Sequence, residues 1–423
     1  MATVKTGAEG VKREPEHKIL VESVSGSDVA IPSEKVVYTV GRYNVSHVDD
    51  NDKRRIKWVA QVDEKRQLLP VRGESVTITI KEEWSGKKII IMPYMVSPIK
   101  KVSVTTSVAA KENIIVIGTQ QHNSSFGANF LRRDVAKNSK LMFVHQALRR
   151  VVLNEKMQWT VLFCTEGYTD KQKEKIKETF LSTSSNDKIV RKFINISYPD
   201  NIVNYINCGN IDGIDTKEKI IVARILFYSH GIVKEILPWM GPWENGNSFN
   251  IQKAEKMKSN VFTEDALIYS FACRTGLGNT DIDETVYKNK KTGEKYNLLS
   301  AESLAQKMAN ATNATVYAYL KRTWYGDTLF TNDEYDFLDA YEAYTNNTKP
   351  ERPNVKSGTK YNNLLKNGPD EKEKERFKQL DEIRDEMKPI DNATFLARGA
   401  LHPVRAADTP TGLPDDMKTY KKM

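Results

Sequence analysis

The sequence predicts a mixed α/β protein in which an all-β region precedes an α/β region with a mostly parallel sheet. Between residues 18 and 109, short apolar or alternating runs are separated by Pro, Gly and Asp turns, a pattern typical of a β-sandwich. From residue 110 to about 332, buried-strand patterns alternate with helical patterns, which predicts a mostly parallel sheet covered on both faces by helices. With 423 residues, the chain is long enough for two or three domains.

The all-β region is predicted to be an immunoglobulin-like sandwich, because several short strands are separated by turns at close spacing. Its predicted strands are Val36–Tyr43, Arg55–Val62, Ser75–Lys81, Lys88–Tyr94 and Lys101–Thr106. The region lacks the cysteine pair of antibody domains and any cluster of catalytic or metal-binding side chains. We therefore expect residues 18–109 to be a binding or docking domain, preceded by a flexible polar leader at residues 1–17.

The α/β region, residues 110–332, contains predicted strands and helices in alternation. The predicted strands are Asn113–Gly118, Gln158–Cys164, Lys192–Ser197, Glu218–Ser229, Ala266–Ala272 and Ala314–Leu320. The predicted helices are Phe126–Val135, Leu141–Leu153, Thr169–Leu181 with Thr169 as N-cap, and Ser300–Thr312 with Ser300 as N-cap.

Residues 333–423 are predicted to form a helical and irregular extension. Tyr335–Tyr344 has the pattern of an aromatic-rich helix, and Glu371–Lys388 carries a narrow apolar stripe typical of a surface or partner-docking helix. The stretch Asn346–Asn367 is polar and rich in Pro, Gly and Asn, so we expect a linker or a long loop.

Composition places the chain among soluble globular proteins, with 39% hydrophobic and 28% charged residues. The net charge of +9 is spread along the chain, and lysines alternate with acids as in Asp370–Glu375. This favours a solvated surface over a nucleic-acid stripe. Three cysteines argue against a disulfide framework. No apolar leader or membrane-length run occurs, so we expect synthesis in the cytoplasm and any export by a specialised apparatus.

Two apolar runs each contain a reactive side chain near their end, Ile221–Gly231 and Ala266–Thr275. The first ends on His230-Gly231 and the second reaches Ala272-Cys273. Because parallel strands end at one edge of a sheet, the imidazole and the thiol are expected to face the same crevice. A cysteine nucleophile needs a base and a backbone donor for the oxyanion. Each motif alone is weak, since a cysteine at a strand end often packs in the core, as we expect for Cys164.

The ordered pair of motifs resembles the signature of the clan CD cysteine peptidases, the caspase–legumain–gingipain–clostripain group. The segments CRTGLG and SAESLAQKMANATNATVYAY are also similar to the end of bacterial caspase-like domains. The resemblance covers roughly residues 110–332 and implies a caspase-like three-layer α/β/α sandwich that needs no metal or cofactor. It also implies that Cys273 is the nucleophile, His230 the general acid/base, and the amides of Gly231 and Cys273 the oxyanion donors, either in a working dyad or in an idle one.

The resemblance also suggests where substrate would bind. Gln120, His122 and Asn123 follow the first strand of the α/β region, where caspases place an arginine, so a preference for aspartate is not expected. His122 is either a rival catalytic imidazole or an exposed loop residue. Trp239 and Trp243 either wall the substrate groove or bury against the sheet edge.

The leading functional prediction is a cysteine endopeptidase that acts as a bacterial effector or toxin, delivered by a specialised secretion system such as type VI. Its expected partners are a protein or peptide substrate, a secretion-apparatus component and a cognate immunity protein, with no nucleic acid and no membrane span. One alternative is a non-catalytic caspase-like scaffold that docks to a partner. Another is a different thiol-dependent enzyme, an amidase or an acyltransferase, that uses the same dyad.

Overall fold

The structure is a computed structural model, and its description covers residues 18–119, 141–154, 157–183, 189–214, 220–238, 248–280, 282, 297–325, 328–350, 355–384, 399–407, 409–410 and 412–423. These residues divide into two compact units, the first ending at Ala110 and the second beginning at Lys111.

The first unit contains two β-sheets. Its strands are β1 (Val21–Ser25), β2 (Val29–Ala30), β3 (Lys35–Tyr43), β4 (Lys57–Val62), β5 (Lys65–Arg72), β6 (Ser75–Thr79), β7 (Lys88–Tyr94) and β8 (Val104–Val108). One sheet has the order β1-β3-β6 and the other has the order β2-β8-β7-β4-β5. A short helix, α1 (Asp50–Arg55), is capped by the Asp49 side chain, and a 3-10 turn spans Glu82–Trp84.

Both sheets of the first unit contribute to one hydrophobic core, in which Tyr38 and Trp58 are fully buried. Residues of β3 alternate between buried and exposed, as a strand with one face on a core requires. The predicted strands overlap β3, β4, β6, β7 and β8. Strand β5 was not predicted, because most of its residues are exposed and the pattern of its side chains carries no signal. Pairing with β4 forms β5 instead.

The second unit is built on a seven-stranded sheet with the order β11-β10-β9-β12-β16-β17-β20. These strands are β9 (Ala110–Ile117), β10 (Trp159–Cys164), β11 (Val190–Ile196), β12 (Ile220–Tyr228), β16 (Phe262–Ser270), β17 (Thr315–Ala318) and β20 (Lys418–Tyr420). The pairs β9–β10, β10–β11, β12–β16 and β16–β17 are parallel, and β20 is antiparallel to β17. The predicted mixed α/β class with a mostly parallel sheet is therefore confirmed.

Helices pack on both faces of this sheet, and they are α2 (Met142–Val152), α3 (Asp170–Ser182), α4 (Pro199–Cys208), α5 (Ile251–Ala254) and α6 (Leu304–Thr312). Three further helices, α7 (Asn332–Thr345), α8 (Val355–Asn367) and α9 (Glu371–Arg384), pack with one another in a separate hydrophobic cluster. Alternate residues of β9 enter two different cores: Ile114 and Val116 join α4, α5 and α6, while Ile115 and Ile117 join α2 and α3. This alternation is the reason that β9 reads as one continuous apolar run.

Two smaller sheets lie in the second unit. Strands β13 (His230–Ile232), β14 (Glu235–Leu237) and β15 (Phe249–Asn250) form an antiparallel sheet directly after β12. Strands β18 (Thr323–Trp324) and β19 (Arg405–Ala406) form a short antiparallel ribbon. Two 3-10 turns, Ser259–Val261 and Ser300–Glu302, precede β16 and α6.

Helix boundaries differ from the prediction at several places. The N-cap of α6 is Ser303, whose hydroxyl accepts from the Gln306 amide, and not Ser300, which lies in the preceding 3-10 turn. Helix α4 was not predicted, although Pro199 opens it and Gly209 ends it in the left-handed conformation. The predicted helix Phe126–Val135 lies outside the described residues.

The predicted loop Asn346–Asn367 is wrong for its second half, which forms α8. The helix packs against α7, and its Leu364 and Ser357 are buried. The sequence is polar because most other described residues of α8 face solvent. Tertiary packing therefore overrides a composition that is typical of loops. Within the described ranges, every helix is too short or too polar to cross a membrane.

Candidate functional site

The order of the main sheet reverses next to β9. From β9 the chain continues to β10 and β11 on one side, and then returns to β12, β16 and β17 on the other. In open α/β sheets, such a reversal leaves a crevice beyond the carboxyl ends of the two strands that flank it. Here those strands are β9 and β12, and His230 follows β12 after a single residue.

His230 and Cys273 are brought to this edge by neighbouring strands, since β12 pairs in parallel with β16. The ends of these two strands come into contact at Gly231. A Cβ atom placed on Gly231 would lie 2.8 Å from the Ala272 Cβ and 3.0 Å from the Cys273 nitrogen. Only glycine permits this approach of one backbone to the other. His230 and Cys273 are themselves half-buried.

The Cys273 sulfur is held by the β18 strand. The Thr323 amide donates a hydrogen bond to Sγ over 3.2 Å, and the Thr323 Oγ1 lies 3.3 Å from the same sulfur. The thiol therefore has a defined orientation, toward residues that follow β17 in the chain.

Two aromatic side chains lie beside the site, Phe143 against His230 and Tyr325 near Cys273. The Phe143 ring on α2 meets the His230 ring edge-on, with centroids 4.9 Å apart, and it meets Tyr325 in the same way at 4.9 Å. The Tyr325 hydroxyl donates to the Phe271 carbonyl over 3.0 Å. Burial, and next the nearby Cys273 thiol, raise the pKa of Tyr325 well above its usual value, so Tyr325 stays neutral beside the site.

The turn after Cys273 is tightly fixed. Arg274 is buried and has a φ of 56°, a left-handed conformation that costs a non-glycine residue about 1 kcal/mol and that is enriched at functional sites. Its amide donates to the Lys321 carbonyl over 2.9 Å. The Tyr420 hydroxyl on β20 donates to the Gly276 carbonyl over 2.5 Å.

The other predicted residues fall into two groups. Cys164 is fully buried in the core, as predicted, and burial raises the pKa of its thiol well above the usual value. Gln120, His122, Asn123, Trp239 and Trp243 lie outside the described residues. Within the described part of the chain, no group of three or more His, Cys, Asp and Glu side chains is arranged to hold a metal ion.

Sequence reasoning missed Thr323, Phe143 and Tyr325. Thr323 belongs to a strand of two residues, which is too short to give a periodic signal. Phe143 lies on the apolar side of a predicted helix, where it could not be distinguished from any other core residue.

Comparison with known proteins gives no family. No protein-family model matches the chain, and no curated protein matches it. Two solved structures are similar. A sialyltransferase from Photobacterium damsela has 10% identity and a TM-score of 0.22, covering 84% of this chain and 64% of its own. A 2,6-sialyltransferase from Photobacterium sp. JT-ISH-224, in a ternary complex with CMP and lactose, has 14% identity and a TM-score of 0.22, covering 83% and 62%. This chain thus spans less than two thirds of either protein.

These findings correct the predicted membership of clan CD. The matched solved structures are sialyltransferases and not caspase-like peptidases, and no model of a peptidase family matches. The predicted cysteine endopeptidase, its role as a bacterial effector or toxin, and the alternative of a caspase-like scaffold are not retained. A TM-score of 0.22 assigns no activity to this chain.

The family prediction was wrong because the paired motifs reflect a packing requirement that is not specific to one family. The Gly of His230-Gly231 and the Ala of Ala272-Cys273 lie against each other where two parallel strands end. Adjacent strand ends that approach so closely need small residues in any α/β sheet. The pattern therefore predicts neighbouring strands correctly, but it does not identify a family.

Proposed function

We propose that Cys273 and His230 form a thiol-dependent acyl-transfer site, in which the cysteine accepts an acyl group and passes it to a second molecule. The proposal concerns the transfer of an acyl group and not the hydrolysis of peptide bonds. It takes up the thiol-dependent acyltransferase that the sequence left open.

The observation that carries the proposal is the contact of Gly231 with Ala272 and Cys273, at 2.8–3.0 Å from a Cβ built on the glycine. This contact sets an imidazole and a thiol on adjacent strand ends, beside the crevice where the sheet order reverses. Thiol and imidazole within reach of one substrate are the minimum for nucleophilic catalysis by cysteine.

In the first step, His230 accepts the proton of the Cys273 thiol, and the sulfur attacks the carbonyl carbon of an acyl donor. A carbon–sulfur bond forms, the bond to the donor's leaving group breaks, and that group departs with the proton from His230. In the second step, an acceptor attacks the thioester carbon and gives its proton to His230, the carbon–sulfur bond breaks, and His230 returns the proton to the sulfur, which restores the thiol. The amides of Gly231 and Cys273 are proposed as donors to the oxyanion. The edge-on Phe143 ring would limit rotation of the His230 ring.

The test is the formation of a covalent adduct. We expect the protein, incubated with a panel of acyl-N-acetylcysteamine thioesters, to gain the mass of one acyl group on Cys273. The adduct should be released by hydroxylamine and by a primary amine acceptor. We expect His230→Gln to slow its formation about 100-fold or more, as loss of a general acid/base does.

Cys208→Ser is the matched control, because Cys208 is also half-buried but lies at the end of α4. Its adduct on Cys273 should equal that of the unchanged protein. Equal acylation of Cys208 and Cys273, or acylation that is unaffected by His230→Gln, would contradict the proposal.

We also propose that the first unit is an immunoglobulin-like docking domain. Support comes from two sheets that share one core. The domain limits 18–109, 110–332 and 333–423 remain predictions, as do export from a bacterial cytoplasm and the partners named from the sequence.

A further inference from the structure

The β18–β19 ribbon lies directly at the Cys273 thiol. Through its amide and its hydroxyl, Thr323 of β18 approaches Sγ at 3.2 Å and 3.3 Å. On either side of Thr323 the chain is fixed by buried residues, since the Lys321 carbonyl accepts from the Arg274 amide and the Tyr325 hydroxyl donates to the Phe271 carbonyl. Strand β18 itself has two residues, so the segment that pairs with it also contributes to holding Thr323 in position.

That segment consists of residues 404–407, which we call the strap. Within it, Ala406 pairs with Thr323 and Arg405 pairs with Trp324. The Ala407 amide donates to the Arg322 carbonyl over 2.8 Å, and just beyond the strap the Thr409 carbonyl accepts from the Arg322 amide over 2.7 Å.

The strap is buried at its start and more exposed afterwards. Val404 is buried against the sheet, and its carbonyl accepts from the Tyr319 hydroxyl over 3.2 Å. By contrast, Arg405 is exposed, and Ala406 and Ala407 are half-buried, with Ala406 at the margin of the same core. Short segments with few buried apolar contacts open at much lower free energy than the core.

We infer that Thr323 is a positioning residue for the Cys273 sulfur, and that the strap regulates the thiol by holding Thr323 against it. In the closed state, Thr323 covers one side of the sulfur. When the strap opens, β18 loses its pairing with β19, Thr323 is no longer held against the sulfur, and the sulfur becomes accessible. The inference rests on the proposed function only in taking Cys273 as the reactive thiol.

The strap can be loosened at one atom. Ala407→Pro removes the amide that donates to Arg322, whereas Ala407→Ser keeps it. The loss of one backbone hydrogen bond shifts such an opening equilibrium by about three- to tenfold. We expect Ala407→Pro to raise the rate at which iodoacetamide alkylates Cys273 by this factor, and we expect Ala407→Ser to leave that rate unchanged. The alkylation of each cysteine is measured by peptide mass mapping.

Hydrogen exchange of the Arg322 and Thr323 amides distinguishes opening of the strap from a general loss of stability. Both amides should exchange faster in Ala407→Pro by the same factor as the alkylation of Cys273. Faster alkylation without faster exchange, or equal rates in the Pro and Ser variants, would overturn the inference.

Cys164 reports on global unfolding, because it is fully buried and becomes reactive only when the core opens. If Ala407→Pro exposes Cys164, the test moves to the unchanged protein in low urea. Local opening then predicts a shallow urea dependence for Cys273 and a steep one for Cys164, and equal slopes would overturn the inference.

Strap-dependent alkylation without acyl transfer would reject the proposed function alone, and acyl transfer without strap dependence would reject this inference alone.

Discussion

At Gly231 the space beside the backbone is filled by the neighbouring strand end. A Cβ there would lie 2.8 Å from the Ala272 Cβ and 2.9 Å from the Cys273 carbonyl oxygen. Both neighbours belong to backbone or to a methyl group that is fixed to it, so no flexible side chain can move aside. A larger residue must therefore separate the ends of β12 and β16.

We expect Gly231→Ala to destabilise the protein by about 1–3 kcal/mol, as overpacking does, measured by urea denaturation. Gly358→Ala is the matched control. Gly358 lies in α8 with nothing within 4 Å of its built Cβ, so alanine there should stabilise the helix by about 0.5–1 kcal/mol. Similar effects of the two changes would contradict the contact at Gly231.

The Asp333 carboxylate, in the first turn of α7, contacts both α8 and α9. Asp333 contacts the Lys360 Nζ of α8 over 2.9 Å and the Arg376 Nη2 of α9 over 3.0 Å. Hydrogen bonds from Lys360 and then Arg376 lower the pKa of Asp333 to about 2. Because the carboxylate is largely exposed, solvent screens both ion pairs.

A double-mutant cycle of Asp333→Asn with Lys360→Met should give a coupling of about 0.2–1 kcal/mol at pH 6. The pKa of Asp333 is lower in the folded state, so this stability is present above the unfolded pKa of 3.8. It is lost as the pH falls through about 2. A coupling of zero at pH 6, or one that persists unchanged below pH 2, would show that the contact does not stabilise the helices.

Elements with local signals were predictable, and elements formed by packing were not. Thr169 was predicted as an N-cap, and it forms a capping box with Gln172 at the start of α3. The sequence of α8, by contrast, has the composition of a loop. Its Leu364 instead packs into a cluster with residues of α7 and α9, which no local pattern reveals.

At the scale of the whole molecule, buried tyrosines couple stability to alkaline pH. Burial raises the pKa of Tyr168, Tyr228 and Tyr325 well above the usual value of 10. The unfolded chain releases these protons near pH 10, whereas the folded chain keeps them. The stability from each tyrosine is therefore complete below pH 10 and declines above it.

We expect the free energy of unfolding to fall by about 1.4 kcal/mol per pH unit for each such tyrosine above pH 10. Tyr228→Phe should reduce this slope by the share of one residue, because phenylalanine keeps the ring that stacks on Phe271 but carries no proton. Urea denaturation between pH 8 and pH 11 measures the slope, and an unchanged slope in the variant would contradict the account.

The full order of the strands in the main sheet could not be predicted. The motifs at His230 and Cys273 indicated two neighbouring buried strands, but the positions of the other strands depend on contacts that are distant in the chain. The reversal of the strand order at β9, with β10 on one side and β12 on the other, follows from such contacts. Thr323 was missed for the same reason, because it contacts the Cys273 sulfur although the two residues are 50 positions apart in the chain.

Strand β20 has a consequence for the chain as it is synthesised. Residues 418–420 complete the sheet beside β17 and bring Tyr420 to the turn after Cys273. On the ribosome, β9 to β17 emerge long before them, so the nascent sheet has an open edge at β17 that can pair with other chains. Closure of this edge must await a contact of high sequence separation, which is a slow step. Until residues 418–420 pair with it, β17 therefore remains an edge strand that is exposed to pairing with other chains.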